Sequence, residues 1–174
     1  MHPQEQLELI EILEASRADF NAAAAEVPDS KAAITPEAGR WSILQCVEHV
    51  TVVEDRFLTW MQNAPRLESM RVDKAKEADL LARVPDRTAR AQAPEAVRPA
   101  SRFATLAEAM QEFNAARTRT VEFAKQRGAD MYRLSLEHPR FGPMNGAEFL
   151  MVVAGHSRRH AAQIREARAA LGIA

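Results

Sequence analysis

Four long stretches of this chain repeat apolar residues at the spacing of an α-helix, and few stretches alternate as a β-strand would. Only six glycines occur in 174 residues, so little interrupts them. The first stretch predicts a helix over residues 4–27, with Leu9, Leu13, Ser16, Phe20, Ala23 and Val27 on one stripe and Pro28 as its end. The second opens at "WSILQ", where Ser42 and Gln45 have the spacing of a capping box. Ile43, Val47, Val50, Phe57 and Met61 mark one face of it, and Cys46, His49, Val53 and Trp60 an adjacent stripe. So wide an apolar arc predicts contact with more than one neighbour, and Pro65 bounds the helix. The third starts at Thr105, with Glu108 completing another capping box, and buries Leu106, Met110, Phe113, Val121 and Ala124 before Gly128 stops it. The fourth is capped by Asn145 with Glu148 and carries Phe149, Val153, His156, His160, Ile164, Ala167 and Leu171 along one side.

The connections are as informative as the helices. Residues 65–104 are too many for a structureless loop inside a compact domain. "DKAKEADLLARV" predicts a short helix over 73–84, and Pro85, Pro94 and Pro99 predict an extended crossover after it. "YRLSLEHPRFGPMNG" suits a short extended piece with tight turns. Four amphipathic helices with two long connections predict a single all-α domain over 1–174, a four-helix bundle with at least one crossover.

Composition excludes several classes of function. With 23 basic and 24 acidic residues the net charge is −1, which gives no drive towards nucleic acid or an anionic membrane. The arginines of the fourth helix could form a local patch, but no basic recognition helix stands out. The longest apolar run, "LMVVAG", is far too short to span a bilayer. The first residues, "MHPQEQLELI", lack the apolar core of a secretory signal. The lone Cys46 cannot form an intramolecular disulfide, so a reducing, cytoplasmic setting is the expectation. Self-association as a homodimer, through an exposed apolar face, is a further expectation.

"GHSRRHAAQI" places His156 and His160 four residues apart. On a helix such residues differ by only about 40° in direction, with Cβ atoms roughly 6 Å apart, so two imidazoles can converge on one ion. Both fall on the stripe the fourth helix should bury, whereas Arg158, Arg159, Arg165, Glu166 and Arg168 occupy its other faces. Buried imidazoles need partners for their nitrogens, and each unmet group costs about 1–3 kcal/mol. His49, on an apolar stripe near the start of the second helix, supplies the third ligand. Three histidines leave a coordination position open to water or substrate, as catalytic sites do. Imidazole suits divalent zinc, nickel, iron or copper.

The remaining candidates carry blander alternatives. His2 reads as a terminal residue and His138, before Pro139, as a loop residue. Cys46 reads as a small core residue. Glu54 is a candidate general base, and Gln163 could reach the rim of the site and a bound cofactor. Glu54 and Arg117 both interrupt apolar stripes, and a salt bridge between them at the bundle edge is the expectation. Trp41 is expected to pack against the end of the bundle ahead of the Ser42 cap.

Several of these segments together resemble the DinB-like superfamily, whose members include YfiT-like metal-dependent hydrolases and thiol-dependent transferases. "GRWSILQCVEHV" is similar to the family's Trp-Ser start of the second helix, and "APEAVRPA" before "LAEAMQEFNAART" to its Pro-rich crossover. "HPRFGPMNGAEFLMVVAGHSRRHAAQI" resembles its closing segment. The resemblance implies that His49, His156 and His160 are the metal triad and that the helices run up-down-down-up. It also implies a metal-dependent hydrolase or thiol S-transferase acting on a small molecule, with a low-molecular-weight thiol as possible cofactor. Two other readings stand beside it: a metal-binding or stress-associated protein without turnover, and a metal-free helical interaction domain.

Overall fold

The computed structural model describes residues 3–88 and 92–173; His2 lies outside them. Six helices follow one another: α1 (Pro3–Ala24), α2 (Asp29–Ala32), α3 (Ile43–Asn63), α4 (Lys74–Arg83), α5 (Leu106–Arg127) and α6 (Gly146–Ala170). Short 3₁₀ turns cover Glu95–Val97 and Gly128–Arg133. Strands β1 (Leu136–His138) and β2 (Gly142–Met144) form an antiparallel hairpin that pairs Leu136 with Met144.

Local chemistry sets the helix ends. Ser42 Oγ accepts from Gln45 N at 3.1 Å and Gln45 Oε1 accepts from Ser42 N at 2.9 Å, closing the capping box of α3. Asn145 and Glu148 do the same for α6. At α5 the box is shifted: Thr105 Oγ1 accepts from Glu108 N, but the Glu108 carboxylate reaches back to Ala104 N instead. The expected extension of α1 to Val27 is not found. The helix stops at Ala24, Glu26 turns into the left-handed region (φ 58°), and Pro28 holds the chain extended beyond it.

The long helices α1, α3, α5 and α6 form the bundle, and side-chain pairs give their directions. Gln6 meets Lys125 and Asn21 meets Asn114, so α1 and α5 are antiparallel. Asp19 meets Arg165 and Ala23 meets Arg168, so α1 and α6 run together. The His49–His160 and Phe57–Phe149 ring contacts make α3 and α6 antiparallel. Ile43 shares one core cluster with Leu106, and Met61 shares the other with Ala124, so α3 and α5 run the same way. The order is up-down-down-up.

Parallel α3 and α5 explain the long connection. The 21 residues of α3 extend about 32 Å, and the chain must return that distance before α5 can start. It does so with α4 packed on α6. The approach is close: a Cβ on Gly155 would lie 2.7 Å from Val84 Cβ.

A polar layer divides the core in two. Ser16 lies between Leu13 and Phe20, Glu54 between Val50 and Leu58, Arg117 between Phe113 and Val121, and Ser157 between Ala154 and Ala161. In each pair the flanking residues belong to different core clusters. Arg117 is fully buried and all five of its N–H groups find acceptors. Nε and Nη2 donate to the two Glu54 oxygens at 2.7 and 3.0 Å, and Nη2 also to Ser157 Oγ at 3.0 Å. Nη1 donates to Leu13 O and Ser16 Oγ, both at 2.7 Å. The Glu54–Arg117 pair therefore sits at the centre of the bundle, not at its edge as the sequence suggested. A guanidinium with every donor matched to a bidentate carboxylate and three oxygens can be buried there.

Arg117→Ala leaves the Glu54 carboxylate buried without its partner and should cost about 3–5 kcal/mol of unfolding free energy in urea. The double variant Glu54→Leu with Arg117→Met should recover most of that loss. A single-variant loss below about 1 kcal/mol would contradict a buried, fully engaged pair.

Candidate metal centre

His49 lies in the second turn of α3, held by the Ser42–Gln45 cap, while His156 and His160 sit one turn apart on the antiparallel α6. The Arg117 layer fixes the register between them, since Ser157 adjoins His156 and Glu54 follows His49 by little more than a turn. The three imidazoles come together. Their ring centroids are 5.1 Å (His49–His156), 4.8 Å (His49–His160) and 4.6 Å (His156–His160) apart. One nitrogen from each lies within 4.8 Å of the other two, and no other cluster of three or more His, Cys, Asp or Glu among the described residues is so arranged.

The nitrogens are set for ligation. His49 Nδ1 donates to the Val97 carbonyl at 2.7 Å, which leaves the lone pair on Nε2. That Nε2 is 3.2 Å from His156 Nε2. Tetrahedral ligands at the usual metal–nitrogen length would be separated by about 3.3 Å. His160 Nδ1 is buried and has no hydrogen-bond partner among the described residues. Three rings whose nitrogens converge, one of which also keeps a buried nitrogen without a hydrogen bond, form a donor set that fits a divalent ion.

Electrostatics favours the neutral, coordinating form. Burial lowers the pKa of His49, partly opposed by the Val97 bond. Burial lowers His156 further, helped by His160, His49, Arg159 and Arg117. His160 is lowered by burial and by His49, Arg159 and Arg87, with Gln163 pulling the other way.

The crossover closes one side of the group. Val97 ends a 3₁₀ turn, and the chain just beyond it is tied to α3 by Glu48, the buried neighbour of His49. Glu48 Oε1 accepts from Ala100 N and from Arg102 Nη1, both at 2.6 Å. Trp41 does not simply cover the bundle end: its ring lies 4.8 Å from His49 and stacks at 6.2 Å on His160. The sequence had pointed to neither Val97 nor Glu48. A backbone carbonyl carries no sequence mark, and the one available signal was a charged residue placed directly between Val47 and His49 on the buried arc.

The other sequence candidates lie as follows. Both oxygens of Glu54 are held by Arg117. Gln163 is half-buried at the rim, where its Oε1 accepts from Arg87 at 3.3 Å. Cys46 is fully buried in the core, and burial pushes its thiol up to about 12. His138 is half-buried on β1 and contacts Phe57 and Phe141.

Residues 12–164 match the DinB superfamily. The chain belongs to that superfamily. Solved structures that share its fold include the following two. One is TT2238, described as a four-helix bundle protein: 20% identity, TM-score 0.61, covering 92% of this chain and 98% of the other. The second is YfiT from Bacillus subtilis, described as a probable metal-dependent hydrolase with an unusual four-helix bundle topology. It is 16% identical, with a TM-score of 0.62, covering all of this chain and 91% of the other. No curated protein matches this DinB-superfamily chain. None of its described helices is long and apolar enough to cross a membrane.

The lowered histidine pKa values have a consequence for stability. In the unfolded chain these rings titrate near pH 6.5, and in the folded chain below it. As the pH falls through 6.5 the unfolded state takes up protons first, so stability is full above that value and declines below it. Chelator-treated protein should show a urea midpoint that holds from pH 7.5 to about pH 6.5 and then drops steadily to pH 5. A midpoint constant over that range would contradict burial of the neutral rings.

Proposed function

We propose that this protein is a divalent-metal-dependent enzyme acting on a small molecule, of the thiol S-transferase or hydrolase type. One observation carries the reading: three buried or half-buried imidazoles from two helices bring their nitrogens within 4.8 Å, with His49 and His156 at 3.2 Å. Zinc, nickel or iron suits such ligands, and three of them leave a position open. A divalent ion there would lower the pKa of a water or thiol bound beside it.

The chain's own residues supply the rest. The Val97 carbonyl orients His49, Glu48 holds the crossover that carries Val97, and Trp41 covers His49 and His160 on one side. Gln163, which accepts from Arg87 at the rim, is our candidate contact for a cofactor such as a low-molecular-weight thiol. Glu54 is not kept as a general base, because Arg117 engages both its oxygens. A water or a thiol already deprotonated on an ion needs no such carboxylate, so the engagement of Glu54 is compatible with either reaction type. The description of YfiT supports the hydrolase reading. A lone buried cysteine suits a reducing compartment such as the cytoplasm.

Protein purified without a polyhistidine tag should contain about one divalent ion per chain, as three-histidine sites do, and His49→Ala should contain almost none. Glu48→Ala should keep its helical content but bind metal about 10–100-fold more weakly, because the carbonyl that orients His49 loses its anchor. Thiol exchange with electrophiles and ester hydrolysis, each assayed before and after chelation, separate the two reaction types. Metal content near zero and unchanged by His49→Ala would refute the metal reading; tight metal binding with no turnover would make the site non-catalytic.

A further inference from the structure

Of the three histidines, His49 and His160 are buried and His156 is half-buried, so the group is most open on the His156 side. The surface that flanks this opening has two chemical characters. One flank is a wall of rings. Phe57 lies 6.2 Å from His156 and 6.0 Å from His138, and His138 lies 4.9 Å from Phe141. Phe57, His138 and Phe141 are each half-buried, and Phe57 brings this wall up to His156.

The other flank is cationic. Arg159 lies between His156 and His160 in sequence and donates to the Asp86 carbonyl of the crossover. Arg140 lies over the Phe141 ring at 5.4 Å, which joins the cationic flank to the aromatic one. Arg87 is anchored by Glu166 through Nε at 2.9 Å and Nη2 at 2.8 Å, and Arg40 shares the same carboxylate at 2.8 Å. Among the described residues, this flank gathers the guanidiniums of Arg159, Arg140, Arg87 and Arg40 with the carboxylates of Asp86 and Glu166. An anion bound among these groups would relieve that crowding.

We propose that the open side of the three-histidine group binds a small organic anion, with its apolar body on Phe57 and His138 and its charged end towards Arg159. This assignment rests on the reading of the histidines as the reaction centre and names the substrate class for it. Acetate has the charge without the body, and benzyl alcohol the body without the charge; benzoate has both. Apolar contact with the ring wall and ionic contact with the guanidinium then act on one ligand, which neither control can match.

The test is calorimetric titration of the as-isolated protein with benzoate, acetate and benzyl alcohol, with metal content measured on the same sample. Benzoate should bind at least tenfold more tightly than either control. Arg159→Gln should weaken benzoate tenfold or more and leave benzyl alcohol unchanged, while Arg159→Lys should retain most of the affinity. Phe57→Leu should weaken benzoate severalfold and leave acetate unchanged. Benzoate binding no tighter than acetate, or indifferent to both Arg159→Gln and Phe57→Leu, would overturn the proposal. A full complement of metal with no preference for benzoate defeats this assignment alone; the preference without metal defeats the metal reading and leaves the anion site standing.

Discussion

Arg117 reaches the other three long helices of the bundle from α5: the Glu54 carboxylate on α3, Leu13 O and Ser16 Oγ on α1, and Ser157 Oγ on α6. Apolar side chains alone would tolerate a slip of one helix by a turn with modest repacking. This layer would not, because a slip would leave a buried charge and several hydrogen-bonding groups unpaired. A buried ion pair adds little net stability over apolar residues of the same volume. Its contribution here is register. Ser157 adjoins His156 and Glu54 follows His49 by little more than a turn, so the layer that aligns the helices also aligns the imidazoles.

The second constraint is direction. Because α3 and α5 run the same way, the chain between them has to travel the length of the bundle, and it passes the histidines on its way. A simple up-down bundle would have a tight turn there. Here the connection supplies the carbonyl that sets the His49 tautomer, and Glu48 binds it back to α3. It also carries Asp86 and Arg87 to the cationic side of the opening. The topology and the site are therefore linked: the detour that the helix order requires becomes part of the wall of the site.

Much of this was legible in the sequence, and the reasons are local. Capping depends on residues three apart, so Ser42–Gln45 and Asn145–Glu148 announced the starts of α3 and α6. The short helix α4 and its flanking prolines could be read from composition alone. The pairing of Glu54 with Arg117 was visible as two charges interrupting apolar stripes, but its depth was not, because stripe position does not say how many helices cover a residue. The end of α1 was missed by three residues, since the left-handed turn at Glu26 has no glycine to mark it. The place of Trp41 ahead of the Ser42 cap predicts packing on the bundle end, whereas its stacking on His160 depends on how far the chain before α3 folds over α6. The His156–His160 pair was plain from its spacing; its meeting with His49 is a property of two antiparallel helices in one register.

A crystal of the protein, measured at the absorption edge of the metal found in it, tests the central claim most directly. The account predicts one anomalous peak about 2.0–2.2 Å from His49 Nε2 and from a ring nitrogen of both His156 and His160. No peak there, a peak confined to surface side chains, or an ion held by only one of the three rings would contradict it.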